Sequence, residues 1–187
     1  MNTRTRWLVV VLVLAVAGVV ALWPREQEGQ PPASPARPTQ DLAALRHQAS
    51  LRPCLPGAEG GVQVTCLGDG TRTGLALNGP ILINFWATWC VPCQGELRVL
   101  DSYAQQPGAV PVVPVLVESR EGDGLELLAK LGVKLPSVFD ERDDLRRQLK
   151  APKSLPSSYV ISPDGTARQV TNPLVFTSPE QVGEAVR

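Results

Sequence analysis

The chain has 187 residues, and its 18 Lys and Arg are balanced by 18 Asp and Glu, with one His. A neutral chain lacks the basic surface that nucleic-acid binding requires, and 43 % hydrophobic residues is too many for a chain that is disordered throughout. Collagen, a coiled coil, a multi-span membrane protein and a disulfide-dense miniprotein are excluded on the same grounds. Residues 41–187 are numerous enough for one buried core.

The first predicted element is an apolar N-terminal segment. Residues 7–23 contain no charged side chain and follow two arginines. As a helix they would extend roughly 26 Å, which is just enough to cross a bilayer, and Trp7 and Trp23 bracket them as aromatic residues do at membrane interfaces. We therefore expect residues 1–23 to be a single-pass anchor in the cell membrane. Because basic residues favour the cytoplasmic side, the globular part should lie on the extracytoplasmic side.

A cleaved secretory signal is the alternative for the same residues. Ala15-Val16-Ala17 has the small-residue spacing of a signal-peptidase site, and cleavage there would give a secreted protein. Both alternatives place the globular part outside the cytoplasm. Residues 24–40 are rich in Pro and predict a semi-rigid linker.

Residues 41–187 predict one domain, which opens with a helical extension that begins near Gln40 and ends before Pro53. The predicted strands are short apolar or alternating runs at 62–67, 81–86, 110–117, 136–139, 157–162 and 166–170. The predicted helices are 92–105, 124–131 capped by Asp123, 141–150, and 179–186 capped by Ser178. This order is mostly strand-helix-strand-helix and closes on a hairpin and a helix, so the fold class is α/β with a mixed sheet.

Two cysteines separated by two residues, Cys90 and Cys93, lie where the strand 81–86 leads into the helix 92–105. A helix N-terminus favours an anion, so we expect it to lower the pKa of the Cys90 thiol. Cys90 could then attack a disulfide sulfur, and Cys93, one helical turn on, could resolve the mixed disulfide. A structural disulfide and half of a zinc site are alternatives, whereas haem attachment is excluded because Gln94, and not His, follows the second cysteine.

The residues around this motif resemble the thioredoxin fold and, within it, the membrane-anchored thiol–disulfide oxidoreductases of the TlpA/ResA type. The matching segments are NFWATWCVPCQGEL at 84–97, VFD at 138–140 and LPSSYVISPDG at 155–165. The resemblance covers 61–187, with 123–139 as the extra helix and strand of that family. It implies a thioredoxin-like α/β fold with a central mixed sheet flanked by helices. It also implies no cofactor or metal besides a redox-active disulfide between the two cysteines.

The resemblance also implies roles for individual residues. Cys90 would be the nucleophile, the peptide before Pro156 would be cis and face it, and Trp89 would flank the active site. Glu96, one turn further along the helix, is the candidate for proton handling, with a solvated helix-face carboxylate as the alternative. Asn84 occupies the position where many thioredoxins have a buried Asp, and since an amide does not titrate, proton transfer of the thioredoxin kind is in doubt.

The remaining cysteines are Cys54 and Cys66. In an oxidising compartment we expect them to pair with each other as a structural disulfide. A ring of this size is worth about 3 kcal/mol through loop-closure entropy. A second, regulatory redox pair is the alternative.

The resemblance implies an enzyme, an extracytoplasmic, membrane-tethered thiol–disulfide oxidoreductase acting on protein disulfide substrates. Most relatives of this kind are reductases, and many reduce the cysteines of apocytochrome c during cytochrome c maturation, with electrons from a membrane thiol donor. A disulfide-forming oxidase of the same fold and a non-enzymatic metal-binding module are the alternatives. No nucleic-acid partner is expected.

Overall fold

The computed structural model describes residues 40–187. The membrane segment expected at 7–23, and the linker expected at 24–40 except for Gln40, lie outside the described residues. Within residues 40–187, none of the helices has the length and apolar character that crossing a membrane requires.

The described residues form seven strands and five helices. In chain order they are α1 (Leu42–Ala49), β1 (Val62–Cys66), β2 (Arg72–Leu75), β3 (Ile81–Trp86), α2 (Val91–Ala104), β4 (Val112–Leu116), α3 (Glu121–Leu131), β5 (Val138–Phe139), α4 (Asp144–Gln148), β6 (Ser157–Ile161), β7 (Ala167–Val170) and α5 (Pro179–Ala185).

The strands form one mixed sheet in the order β2-β1-β5-β4-β3-β6-β7. Strands β5, β4 and β3 are parallel, and every other neighbouring pair is antiparallel. Strands β3 and β4 are buried along their whole length, as expected of central strands covered on both faces. The sheet confirms the predicted thioredoxin-like α/β class.

Pro114 lies inside β4, opposite Asn84, although Pro is normally confined to sheet edges. The ladder between β4 and β5 begins only at Val115. The missing N–H of Pro114 therefore falls where β4 has a partner strand on one side only, which explains why the strand tolerates it.

Helices cover both faces of the sheet. Helices α1, α2, α3 and α5 bury apolar side chains in one core layer, which includes Ala49, Leu97, Leu125, Val182 and, from the sheet, Leu82 and Leu116. Leu145 of α4 lies in the layer on the opposite face, with Ile83, Phe85, Val113 and Val115. The alternation of neighbouring β3 residues between the two layers is the period of two that a strand imposes.

Several predicted boundaries were wrong. Helix α3 begins at Glu121 after Arg120, which makes no side-chain capping bond, so Asp123 lies in the first turn and is not the cap. Helix α4 covers only Asp144–Gln148, because Asp143 has a left-handed backbone (φ 57°) and the residues before it form a turn. Strand β2 was not predicted, since Arg72–Leu75 has no apolar alternation and its conformation depends on pairing with β1.

Three chain segments leave or enter the sheet at the same end of its strands. The loop that carries Cys90 follows the end of β3, and Phe85 near that end pairs with Ser157, the first residue of antiparallel β6. Ser158 pairs in turn with Val170, the last residue of β7. The residues after β3, before β6 and after β7 therefore border one site.

Candidate active site

The two cysteines of the C-x-x-C motif lie at the N-terminus of α2. Cys90 is the N-cap residue, with an extended backbone (φ −80°, ψ 96°), and Pro92 occupies the first turn. The Cys90 Sγ accepts a hydrogen bond from the backbone N–H of Cys93 at 3.3 Å, and the two sulfurs form a disulfide. The same N–H would face the sulfur of reduced Cys90, where the helix dipole also favours negative charge.

Pro156 directly precedes β6, at the end of the sheet from which the loop to Cys90 leaves. The Leu155–Pro156 peptide bond is cis, and the residue after it pairs with Phe85. This register places Pro156 level with Trp86, the last residue before the loop that leads to the cysteines. The sheet therefore brings Pro156 to the edge that holds Cys90, and its role in substrate binding stays a prediction.

Glu96 is buried on α2, one turn after Cys93, with 1 % of its surface exposed. One carboxylate oxygen accepts a hydrogen bond from Asn84 Nδ2 at 2.8 Å, and the other accepts one from the backbone N–H of Phe176 at 2.8 Å. Burial raises the pKa of this carboxyl from 4.5 to about 7, although both hydrogen bonds act to lower it. Glu96 is therefore not a solvated helix-face carboxylate.

Asn84 is a fully buried residue of β3. Its Nδ2 also donates to Ser158 Oγ at 3.0 Å, while its Oδ1 has no partner within the described part of the chain. The residue at the usual aspartate position is thus a hydrogen-bond donor to Glu96, a buried carboxylate of the C-x-x-C helix. The buried titratable group at this place is therefore the Glu96 carboxyl, which contacts the residue at the aspartate position.

Trp89 is 57 % exposed, directly before Cys90. Its indole Nε1–H donates to the backbone carbonyl of Glu118 at 3.3 Å. Val91 on the other side of Cys90 is also exposed. The sulfur that we expect to react is therefore flanked by two apolar side chains that face solvent.

Cys54 and Cys66 are joined by a disulfide. Cys66 ends β1 and pairs with Val138 of β5, and β4 lies between β5 and β3. Three strand spacings, about 14 Å, therefore separate Cys66 from the strand that leads to Cys90. The two disulfides are not in contact, which is consistent with a structural role, although that role stays a prediction.

Three contacts of the site were not foreseen. The bond from the Phe176 amide and the bond to the Glu118 carbonyl involve backbone groups, which no residue pattern identifies. Arg146, a buried cation that binds the Glu118 carboxylate, belongs to the segment 141–150, which the sequence predicts only as a polar helix. Among residues 40–187 no group of three or more His, Cys, Asp or Glu is placed to hold a metal ion.

The family model described as AhpC/TSA matches residues 63–170. Among curated proteins, the chain is 27% identical over 92 residues to the thiol-disulfide oxidoreductase ResA of Oceanobacillus iheyensis, covering 48% of this chain and 47% of that protein. It is 33% identical over 102 residues to the DsbE homolog, a thiol:disulfide interchange protein of Paracoccus denitrificans, covering 49% and 55%. The match thus spans about half the length of these curated relatives.

Solved structures support the fold. A secreted disulfide oxidoreductase of Mycobacterium tuberculosis, described as homologous to DsbE of E. coli, aligns with a TM-score of 0.57 at 20% identity, over 75% of this chain and 96% of that one. The structure of DsbF from MTB aligns with a TM-score of 0.58 at 22% identity, over 71% and 97%. At these identities the likeness shows the fold alone.

Proposed function

The chain belongs to the AhpC/TSA family, and on that premise we propose that it is an extracytoplasmic, membrane-tethered thiol–disulfide oxidoreductase that reduces protein disulfides. The observation that carries the proposal is the position of Cys90, the N-cap of α2, with Cys93 one turn on and bonded to it. The names of the curated relatives give the same class of chemistry for those proteins.

The reaction begins from the reduced enzyme. The Cys90 thiolate attacks one sulfur of the substrate disulfide, whose S–S bond breaks, and the departing sulfur takes up a proton. Cys93 then loses its proton and attacks the Cys90 sulfur, which releases the second substrate thiol and forms the Cys90–Cys93 disulfide. Two electrons pass to the substrate, and a membrane dithiol donor returns two electrons to the enzyme.

Glu96 supports proton handling in the second step. Its pKa of about 7 lets the carboxyl exchange a proton near neutral pH, and it lies one turn beyond Cys93 on the same helix. When it is ionised, its negative charge opposes formation of a thiolate nearby. Weaker thiolate stabilisation makes the disulfide a weaker oxidant, and this supports the reductase direction over a disulfide-forming oxidase.

The family resemblance extends the proposal to the substrate. We infer that apocytochrome c, with its C-x-x-C-H cysteines, is the substrate class, and that the anchor at residues 7–23 keeps the enzyme beside its donor. The exposed Trp89 and Val91 suit an extended polypeptide with apolar residues next to the disulfide.

The first test uses Cys90→Ser and Cys93→Ser in the full chain. We expect Cys90→Ser to abolish reduction of a C-x-x-C peptide disulfide, and Cys93→Ser to accumulate mixed disulfides that non-reducing electrophoresis and mass spectrometry would identify. Full turnover by Cys90→Ser would refute the mechanism. Trapped apocytochrome c would support the proposed substrate, and trapping of other proteins alone would refute it.

The second test is a redox titration of the full chain, read by differential alkylation of each cysteine. We expect the Cys90–Cys93 pair to titrate at about −230 mV or below, towards the value of thioredoxin. A potential near about −120 mV, the range of a strong disulfide oxidant, would refute the reductase direction.

A further inference from the structure

The loop between β4 and α3 supports the loop that leads to Cys90. Its Val117 N–H donates to the carbonyl of Trp86 at 3.0 Å, and its Ser119 Oγ accepts a hydrogen bond from the Thr88 N–H at 3.0 Å. Between them, the carbonyl of Glu118 accepts the Trp89 indole N–H. Three consecutive residues of one loop, Val117 to Ser119, therefore bind three of the four residues that precede Cys90.

Glu118 has a left-handed backbone, with φ 47°. This conformation is unfavourable for a residue other than Gly, Asn or Asp and persists only where the surroundings hold it. In this conformation the Glu118 carbonyl faces the indole N–H of Trp89, which lies 29 residues away along the chain. The backbone at Glu118 thus needs an anchor.

The anchor is the Glu118 side chain. Its Oε1 lies 2.7 Å from Nη2 of Arg146, whose side chain is 6% exposed. The same Nη2 lies 2.7 Å from Asp143 Oδ2, and the Arg146 backbone N–H donates to the buried Asp140 carboxylate at 3.0 Å. Arg146 is therefore held both through its side chain and through its backbone. Its bond to Glu118 is partly buried, and a charge-assisted bond is stronger than a neutral one.

We propose that Glu118, anchored by Arg146, is a positioning residue for Trp89. It holds the indole N–H inward, so that the face of the ring stays exposed in one orientation beside Cys90. A polypeptide substrate then meets a preformed apolar contact, and the cost of ordering that side chain on binding is lower. The expected effect on substrate binding rests on the proposed disulfide exchange. The positioning of Trp89 does not.

The test compares Glu118→Ala with Glu118→Gln in the full chain, in detergent micelles. Alanine removes the carboxylate while Arg146 keeps its bond to Asp143, and glutamine keeps an oxygen that accepts the Arg146 bond. Glu141→Ala, which removes an exposed carboxylate without a hydrogen-bond partner among residues 40–187, is the control for charge. Trp89→Phe keeps an aromatic ring and removes the indole N–H.

The first readout is the rate at which the indole N–H of Trp89 exchanges with solvent, measured by nuclear magnetic resonance. The chain has four Trp, and the signal missing in Trp89→Phe identifies Trp89. We expect at least fivefold faster exchange in Glu118→Ala, with Glu118→Gln and Glu141→Ala close to the unmodified chain. Unchanged exchange in Glu118→Ala would overturn the proposal, whether or not the protein reduces disulfides.

The second readout is steady-state reduction of a C-x-x-C peptide disulfide and of 5,5′-dithiobis(2-nitrobenzoate). We expect Glu118→Ala to raise KM for the peptide about fivefold, which is the change expected when one neutral hydrogen bond is lost. The value of kcat, and the rate with the small disulfide, should change little. In the Trp89→Phe background the same substitution should have no further effect. An equal rise in that background would overturn the proposal, whereas absence of turnover in the unmodified chain would refute the proposed function alone.

Discussion

At the scale of single residues, the site depends on one buried carboxylate. Glu96 is held by Asn84 from the sheet and by the amide of Phe176 from the segment after β7, so it links the C-x-x-C helix to both. Desolvation outweighs these two bonds and raises its pKa. A buried group with this pKa makes the free energy of unfolding depend on pH between about 4.5 and about 7.

Glu96→Gln tests this dependence. In the folded state the Glu96 pKa is about 7 and its ordinary value is 4.5, so the folded protein retains a proton that the unfolded chain has released. The free energy of unfolding of the unmodified chain should therefore fall by about 3 kcal/mol as pH rises from about 4.5 through about 7. Glutamine does not titrate, so the variant should lack this fall in urea denaturation at a series of pH values.

The control for this experiment is Glu59→Gln, which removes an exposed carboxylate. It should keep the pH slope of the unmodified chain. The same slope in Glu96→Gln would show that the fall in stability belongs to another group.

At the scale of elements, two glycines in helices have opposite surroundings. A Cβ at Gly124 of α3 would lie 2.4 Å from Leu116 Cδ2 of β4, so this helix packs on the sheet through a position without a side chain. Gly95 of α2 is exposed, and a Cβ there would meet nothing within 4 Å. One glycine is required by packing, and the other is only a poor helix former.

Gly124→Ala should therefore lower the free energy of unfolding by about 1–2 kcal/mol, because overpacking costs more than the gain in helix propensity. Gly95→Ala should raise it by about 0.5–1 kcal/mol. Both values come from urea denaturation at one pH. A loss of stability at Gly95 equal to that at Gly124 would contradict the packing argument.

At the scale of the whole molecule, the Cys54–Cys66 disulfide ties the chain after α1 to the sheet. The same segment is held by the Arg52 N–H, which donates to the Lys134 carbonyl at 2.9 Å, and by the Arg52 guanidinium, which binds Asp101 at 3.3 Å. The helical extension is thus bound to the parts of the fold around β5 and α2. We expect the disulfide to contribute to the free energy of unfolding and not to catalysis.

The double substitution Cys54→Ala and Cys66→Ala should lower the free energy of unfolding by about 3 kcal/mol, since the unfolded chain loses a loop constraint. Peptide disulfide reduction below the unfolding transition should be unchanged. The measurement is urea denaturation together with steady-state kinetics. Loss of turnover in a folded variant would instead indicate the alternative, a second redox pair.

The sequence by itself determined the parts of this protein that depend on local pattern. The buried run at 81–86, the C-x-x-C at a helix start and the SSYVIS hairpin predicted the α/β class, and the motif residues predicted the family that the comparisons bear out. Such patterns survive in the fold because strand periodicity and helix capping act between neighbours. The roles of the site residues stay predictions of the same kind.

Only the tertiary structure decided the features that depend on pairing between distant segments. Strand β2 exists because β1 lies beside it, and α4 is short because the backbone turns at Asp143. The surroundings of Glu96 and the support of Trp89 by Glu118 are made largely by backbone groups and by residues far apart in the chain. Backbone donors and carbonyls are the same at every position, so their partners become visible only when the sheet sets the distances between them.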